Sequence, residues 1–280
     1  MPPATGAVQP PLPLPKGAIA IKAYTSSEPN AAVSTYLLTG ETDAMLVDAQ
    51  LVNSEAANVA RMIKESGKKL RMIYVTHSHP DHYMGLELLH REFPDARIVA
   101  KKGTIDAMVV TFGKYKPLLD RFFPGDVASA LVSPEAIEGS TIMFEKTPIQ
   151  ILDFENGEAT YATALHIPSM KALLCADLAY NHVHPLLNEL HIDGALGHVK
   201  KLHALEPVDV ILPGHGGPIK KPALDEYVSY VNTLVKVSAR AKSATEIIDA
   251  MTMAYPDYKG PAGLRFTAFA MMEARDKGKL

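Results

Sequence analysis

The sequence predicts a mixed α/β fold, a sheet system of hairpins and strand–helix alternation covered by helices. Three observations carry this. Two β-favouring runs, 33–39 and 44–49, flank Gly40-Glu41-Thr42-Asp43, a hairpin signal. Short apolar runs of strand length alternate with helical patterns in both halves. The 280 residues are 47% apolar and 21% charged, enough apolar material for a sizeable core.

Residues 1–15 hold six prolines and no charge, so 1–17 reads as a Pro-rich flexible arm. Ser54 is placed to cap a helix with Val59, Met62 and Ile63 on one face and Gly67 at its end. A strand over 70–76 follows, then a helix over 83–93 stopped by Pro94 and a strand over 96–100. The segment 103–139 reads as an irregular, partly helical insertion broken at Pro117, Pro124-Gly125 and Pro134. Strands are expected over 141–145, 149–154, 162–168 and 172–177. Asp193 is placed to cap a helix to about 205, before a strand over 208–212 and the loop Pro213-Gly214-His215-Gly216-Gly217. Pro222 suits the first turn of a helix to 241. Ser243-Ala244-Thr245-Glu246 is a capping box, and a last helix covers 262–275. The expected division is a catalytic domain over 18–221 and a helical extension over 222–280, which either packs on that domain or forms a homodimer contact.

Several classes drop out on composition. Twenty-eight Lys and Arg against 31 Asp and Glu leave a net charge of −3, which favours neither nucleic acid nor an anionic membrane. A single cysteine, Cys175, forms no intramolecular disulfide and no Cys-rich metal site. No apolar run approaches a membrane span, and residues 1–15 lack the basic and apolar regions of a secretory signal, so a cytoplasmic location is expected.

The chemistry concentrates in His77-Ser78-His79-Pro80-Asp81-His82, directly after a predicted strand. Three imidazoles packed this closely repel as cations and leave many groups unpartnered when neutral. A divalent ion resolves both problems, and imidazole with carboxylate suits Zn, Fe and Mn. In an extended turn His77 and His79 point one way, while Asp81 and His82, entering the helix, point another. One hexapeptide can therefore serve two adjacent ions.

This hexapeptide, with Ala176-Asp177 ending a later strand and Pro213-Gly214-His215-Gly216 after a late one, resembles the metallo-β-lactamase-fold hydrolases over roughly 30–220. The resemblance implies a four-layer αββα sandwich with C-terminal helices. It implies that His77 and His79 hold one metal, that Asp81, His82 and His215 hold a second, and that Asp177 bridges the two. The family usually supplies a third His to the first metal from a Gly-His segment ahead of the hairpin ending in the bridging Asp. His166 is a poor fit. With the turn at 167–171 it pairs near Leu173, three to four residues and so about 10–13 Å along the ribbon from Asp177. Gly157-Glu158 stands where Gly-His would stand, which makes Glu158 the expected carboxylate replacement, ahead of Asp153 and Glu155; the competing reading is a turn with Glu158 in solvent.

The expected activity is a binuclear metal-dependent hydrolase that cleaves a small carbonyl substrate (lactone, ester, thioester or β-lactam). Metal-bound water becomes hydroxide at neutral pH and attacks the polarised carbonyl. Two divalent ions, Zn with Fe or Mn as alternatives, are the implied cofactors, and Glu158 makes the site more negative and less strict for Zn. Asp81, Tyr180 and His184 are the candidate catalytic groups, and Asp48 is a candidate to orient a metal-binding His. His191, His198 and His203 read as surface residues. Met108, Phe112, Tyr115, Leu118, Leu119, Phe122 and Phe123 in the insertion point to an uncharged or hydrophobic substrate. Two other classes compete: a mononuclear iron oxygenase of the same fold, and a ligand-binding protein without turnover.

Overall fold

The computed structural model describes residues 6–9 and 19–277. In chain order the elements begin with β1 (Ala7–Val8), β2 (Ala20–Thr25), β3 (Ser34–Thr39), β4 (Asp43–Val47), α1 (Asn53–Glu65), β5 (Lys69–Val75), α2 (Pro80–Tyr83), α3 (Leu86–Glu92), β6 (Arg97–Ala100) and α4 (Lys102–Phe122). There follow β7 (Glu135–Ala136), β8 (Thr141–Phe144), β9 (Thr147–Glu155), β10 (Tyr161–Ile167), β11 (Ala172–Tyr180), α5 (Ile192–Ala204), β12 (Val210–His215), α6 (Ala223–Ser238), α7 (Ala244–Ala254) and α8 (Pro261–Asp276). One sheet has the order β1 to β7, the other the order β12-β11-β10-β9-β8.

The period-two alternation of the strands generates the layers. In β4, Met45 and Val47 face the second sheet, while Ala44 and Leu46 face α1, α3 and α4. In β11, Ala172 and Leu174 face the first sheet, while Leu173 and Cys175 face α5 to α8. The central strands of both sheets are apolar on both faces, so helices must cover each outer side, and the result is the expected αββα sandwich. The helices after residue 222 belong to the core under the second sheet. Leu224, Tyr227, Val231, Leu234, Ile247, Met251 and Leu264 are buried there with Leu173, Cys175 and Val199.

Four local expectations are corrected. Part of the Pro-rich arm is a strand: Ala7 and Val8 pair with Thr25 and Tyr24, while most of 1–17 lies outside the described residues. Ser54 caps nothing; α1 starts one residue earlier, and the Ser54 N–H and hydroxyl donate to the Asp126 carboxylate at 2.8 and 2.6 Å. Pro117 does not break the insertion, because α4 runs through it and the Gly113 carbonyl that loses its donor is exposed to water. Asp193 sits in the first turn of α5 and makes no cap bond. The insertion is thus largely one amphipathic helix: Met108 is buried under the first sheet, with Phe112 and Leu119 packed against that cluster.

Both sheets deliver their chemistry to the same end. His77 follows β5 and bridges to Ala162 at the start of β10. Thr163 donates from both its N–H and its hydroxyl to the Thr76 carbonyl, at 3.0 and 2.9 Å, and the Tyr36 hydroxyl donates across to the Pro213 carbonyl at 2.6 Å. These bonds hold the sheet ends together where the histidine motif meets β11 and β12.

Candidate metal centre

Two groups of side chains converge there. His77, His79, Glu158 and Asp177 form one; Asp81, His82 and His215 form the other, and the ligand atoms within each lie within 4.8 Å of one another. His77 Nε2 is 3.8 Å from Glu158 Oε2 and 3.8 Å from Asp177 Oδ2, and His79 Nδ1 is 2.8 Å from Glu158 Oε1. His215 Nε2 is 3.2 Å from Asp81 Oδ2 and 3.1 Å from Asp177 Oδ2, and His82 Nε2 is 3.2 Å from Asp177 Oδ1. Asp177 therefore touches both groups, from between them.

Local backbone explains these positions. The β11–β12 ladder shifts register between Leu174 and Ala176, and Ala176 has φ +47°, so a bulge immediately before Asp177 re-aims its carboxylate. A Cβ on Gly214 would lie 1.9 Å from Asp177 Oδ1, so the loop before His215 can approach the carboxylate only with glycine there.

Outer contacts fix each ring. The Ala31 carbonyl can only accept, so His215 donates to it from Nδ1 at 2.7 Å and its Nε2 lone pair faces inward. His82 Nδ1 lies 2.8 Å from the Asp48 carboxylate, with the same consequence. The Thr76 hydroxyl donates to Asp48 at 2.8 Å and so accepts from His77 Nδ1 at 3.0 Å, again leaving Nε2 inward. His79 is turned the other way, with Nε2 3.4 Å from Glu189 and Nδ1 inward. Asp48 is thus the orienting carboxylate of two rings, at a residue held at φ +65°, a strained geometry for a side chain other than glycine.

The inward atoms are frustrated. His77 Nε2, His79 Nδ1, His82 Nε2, Glu158 Oε2 and Asp177 Oδ1 are buried and have no hydrogen-bond partner. Leaving such groups unmade costs about 1–3 kcal/mol each. Two donors at ~2.1 Å from one tetrahedral ion stand about 3.4 Å apart, and the separations of 2.8 to 3.8 Å bracket that value. The residues therefore fit divalent cations. Protonation tells the same story. Burial opposes charge on His82 and His215, but Asp177 and Asp81 outweigh it, raising His82 and pushing His215 up to about 10. Burial opposes the ionised Asp81 and Asp177 too, yet the surrounding imidazoles hold both below the usual carboxylate range. Burial pushes Glu158 up to about 7, partly offset by His79, and burial with His82 lowers His77. A cation held there would take the place of the protons that the carboxylates draw onto His82 and His215.

The structure sorts the remaining candidates. Glu158 is 1% exposed and inside the cluster, which contradicts a solvent-facing turn. His166 pairs with Leu173 and is bonded to Gln150 and to the Pro207 carbonyl. Asp153 and Glu155 lie outside both groups, Asp153 accepting from the Tyr161 hydroxyl. The Tyr180 hydroxyl donates to Asp177 Oδ2 at 2.6 Å and is 3.2 Å from Glu158 Oε1. His184 is a correction: its Nδ1 is 2.7 Å from the Tyr230 hydroxyl and its ring packs on Tyr230 and Tyr258, because the chain after β11 turns it under α6. His198 is also corrected, being 5% exposed and packed on Phe154. Glu189 escapes sequence reasoning, since an acidic residue in a loop carries no pattern. No helix among the described residues is long and apolar enough to cross a membrane.

The metallo-beta-lactamase superfamily matches residues 30–215, and the chain belongs to it. A Beta-lactamase domain protein from Burkholderia ambifaria superposes with a TM-score of 0.66 at 15% identity, covering 99% of this chain and 90% of that one. The DIM-1 metallo-beta-lactamase gives a TM-score of 0.60 at 17% identity, over 82% of this chain and 98% of its own. A metallo-beta-lactamase from Pontibacter korlensis gives 0.60 at 14%, over 81% and 99%. These likenesses show the shared fold. In sequence, the Uncharacterized protein YobT of Bacillus subtilis (strain 168) is 34% identical over 67 residues, 24% of this chain, and the match spans only 28% of that relative.

Proposed function

We propose that the protein is a binuclear metal-dependent hydrolase of a small carbonyl compound: a lactone, ester, thioester or β-lactam. Superfamily membership and the candidate metal site support a metal-dependent hydrolase. The observation that carries the finer reading is the set of buried, unpartnered lone pairs divided between two groups that share Asp177. His77, His79 and Glu158 would hold the first cation and Asp81, His82 and His215 the second, with Asp177 within reach of both. Zn fits these donors, with Fe or Mn as alternatives favoured by the added carboxylate. Bound divalent cations supply an acidified water and a Lewis acid for the carbonyl oxygen.

The chain's own groups set the geometry around them. Asp48 holds His82 directly and His77 through Thr76 with Nε2 inward, and the Ala31 carbonyl does the same for His215. Tyr180 commits its proton to Asp177; burial and the adjacent carboxylates raise its pKa well above the ordinary value, so it steadies the bridging carboxylate and is a poor proton donor to a leaving group. Asp81 retains 15% side-chain exposure, more than any other member of the two groups, and faces arriving substrate. A panel of lactone, ester, thioester and β-lactam substrates, assayed with and without added metal, tests the reading. Metal-dependent turnover of at least one class is expected. Metal-loaded protein inert toward the whole panel would overturn it.

A further inference from the structure

Metal binding would account for the inward nitrogens and carboxylate oxygens of the two groups; of the other unpartnered buried polar atoms among the described residues, one belongs to a ring stacked against the centre. The hydroxyl of Tyr227, on α6, is unbonded in a residue only 3% exposed. Its ring lies parallel to that of Tyr180, at 6.0 Å and 8° between planes, and Tyr180 in turn stacks on His215 at 5.0 Å and 11°. A stack of His215, Tyr180 and Tyr227 thus runs from the second metal group into the helical extension. A phenol hydroxyl is normally satisfied when buried, and its neighbour Tyr230, one turn along α6, is satisfied by His184 at 2.7 Å. Burial raises Tyr227 well above the ordinary tyrosine value, and the charges on Glu158 and Asp177 add to the rise. The hydroxyl therefore keeps its proton, one ring beyond Tyr180, whose own hydroxyl meets Asp177 and Glu158. It is a donor awaiting an acceptor.

We infer that Tyr227 donates a hydrogen bond to an oxygen of the ligand held at the metal centre, so that the C-terminal helices contribute a substrate-binding residue. The ligand class this chemistry selects is an oxyanion or carbonyl oxygen, such as the carboxylate product of an acyl hydrolysis. The inference rests on the hydrolase reading above, but the two fail differently.

Tyr227→Phe removes the hydroxyl and keeps the ring. Acetate, a minimal carboxylate, is titrated calorimetrically into Zn-reconstituted wild type, Tyr227→Phe and Tyr230→Phe. The expected result is about tenfold weaker acetate binding by Tyr227→Phe at equal metal content, with Tyr230→Phe matching wild type. Thermal unfolding of the metal-free proteins gives a second readout. Deleting a hydroxyl that has no internal partner should leave the Tm of Tyr227→Phe unchanged or higher, while Tyr230→Phe should lose stability. Equal acetate affinity in Tyr227→Phe and wild type, no acetate binding by metal-loaded wild type, or a lowered Tm in metal-free Tyr227→Phe would each overturn the inference. Failure of wild type to retain metal would instead overturn the hydrolase reading.

Discussion

Two buried histidine sites differ in whether their ring nitrogens are satisfied. Around Asp177, four imidazoles and three carboxylates converge, and inward atoms of His77, His79, His82, Glu158 and Asp177 have no partner. Under α6, His184 is buried just as deeply among Tyr230 and Tyr258, yet its Nδ1 is bonded and no carboxylate faces it. Burial of histidine is common to both; frustration belongs to one. A satisfied buried His acts as a packing residue, whereas several unsatisfied ones aimed at a common point need a cation. His166, bonded through both ring nitrogens, falls on the satisfied side.

Predictions follow from breaking one cluster at a time. The largest effect belongs to Asp177→Asn, which removes a charge both groups use. Turnover should fall to the chelator-treated background, checked by kinetics beside metal analysis. Next is Asp48→Asn, which loosens two rings through Thr76 and His82. Loss of such an outer partner should weaken metal binding by about 10–100-fold in a competition titration with a chelator. In the satisfied cluster, Tyr230→Phe should cost about 1 kcal/mol of stability by denaturant titration and leave metal content unchanged. Burial pushes His184 down to about 4. Its contribution to stability is present above about 6.5 and is lost as pH falls toward 4, so Tyr230→Phe and wild type should both lose stability across that window.

The smallest effect lies away from both clusters. Glu145 accepts backbone N–H bonds from Glu41, Thr42 and Asp43, tying β8–β9 to the β3–β4 turn. These bonds lower its pKa from 4.5 to about 2. The contribution is therefore complete above pH 4.5 and lost as pH falls toward 2. Glu145→Gln should show a slightly reduced Tm at neutral pH, and the gap from wild type should close in acid.

Much of this was legible in the residues. Short continuous apolar runs mark the central strands because these are buried on both faces, and the hexapeptide points to a metal site because three imidazoles and a carboxylate have few other reasons to crowd together. Strand register alone separated His166 from Asp177, and Glu158 then stood in the usual histidine's place. What stayed hidden depends on distant contacts. Ser54 yielded to Asp126, which lies far along the chain, and Pro117 fitted inside α4 because its orphaned carbonyl meets water. His184 follows Asp177 closely, but the backbone turns it under α6. Glu189 and Tyr227 are brought beside the centre by tertiary structure that no spacing encodes.

The central claim is that frustrated ligands in two groups each hold a cation. Elemental analysis of purified wild type and Glu158→Ala tests it most directly. The account predicts about two divalent ions per chain in wild type and about one in Glu158→Ala, with the fold retained. Wild type that binds no stoichiometric metal, or Glu158→Ala that keeps the full complement, would contradict it.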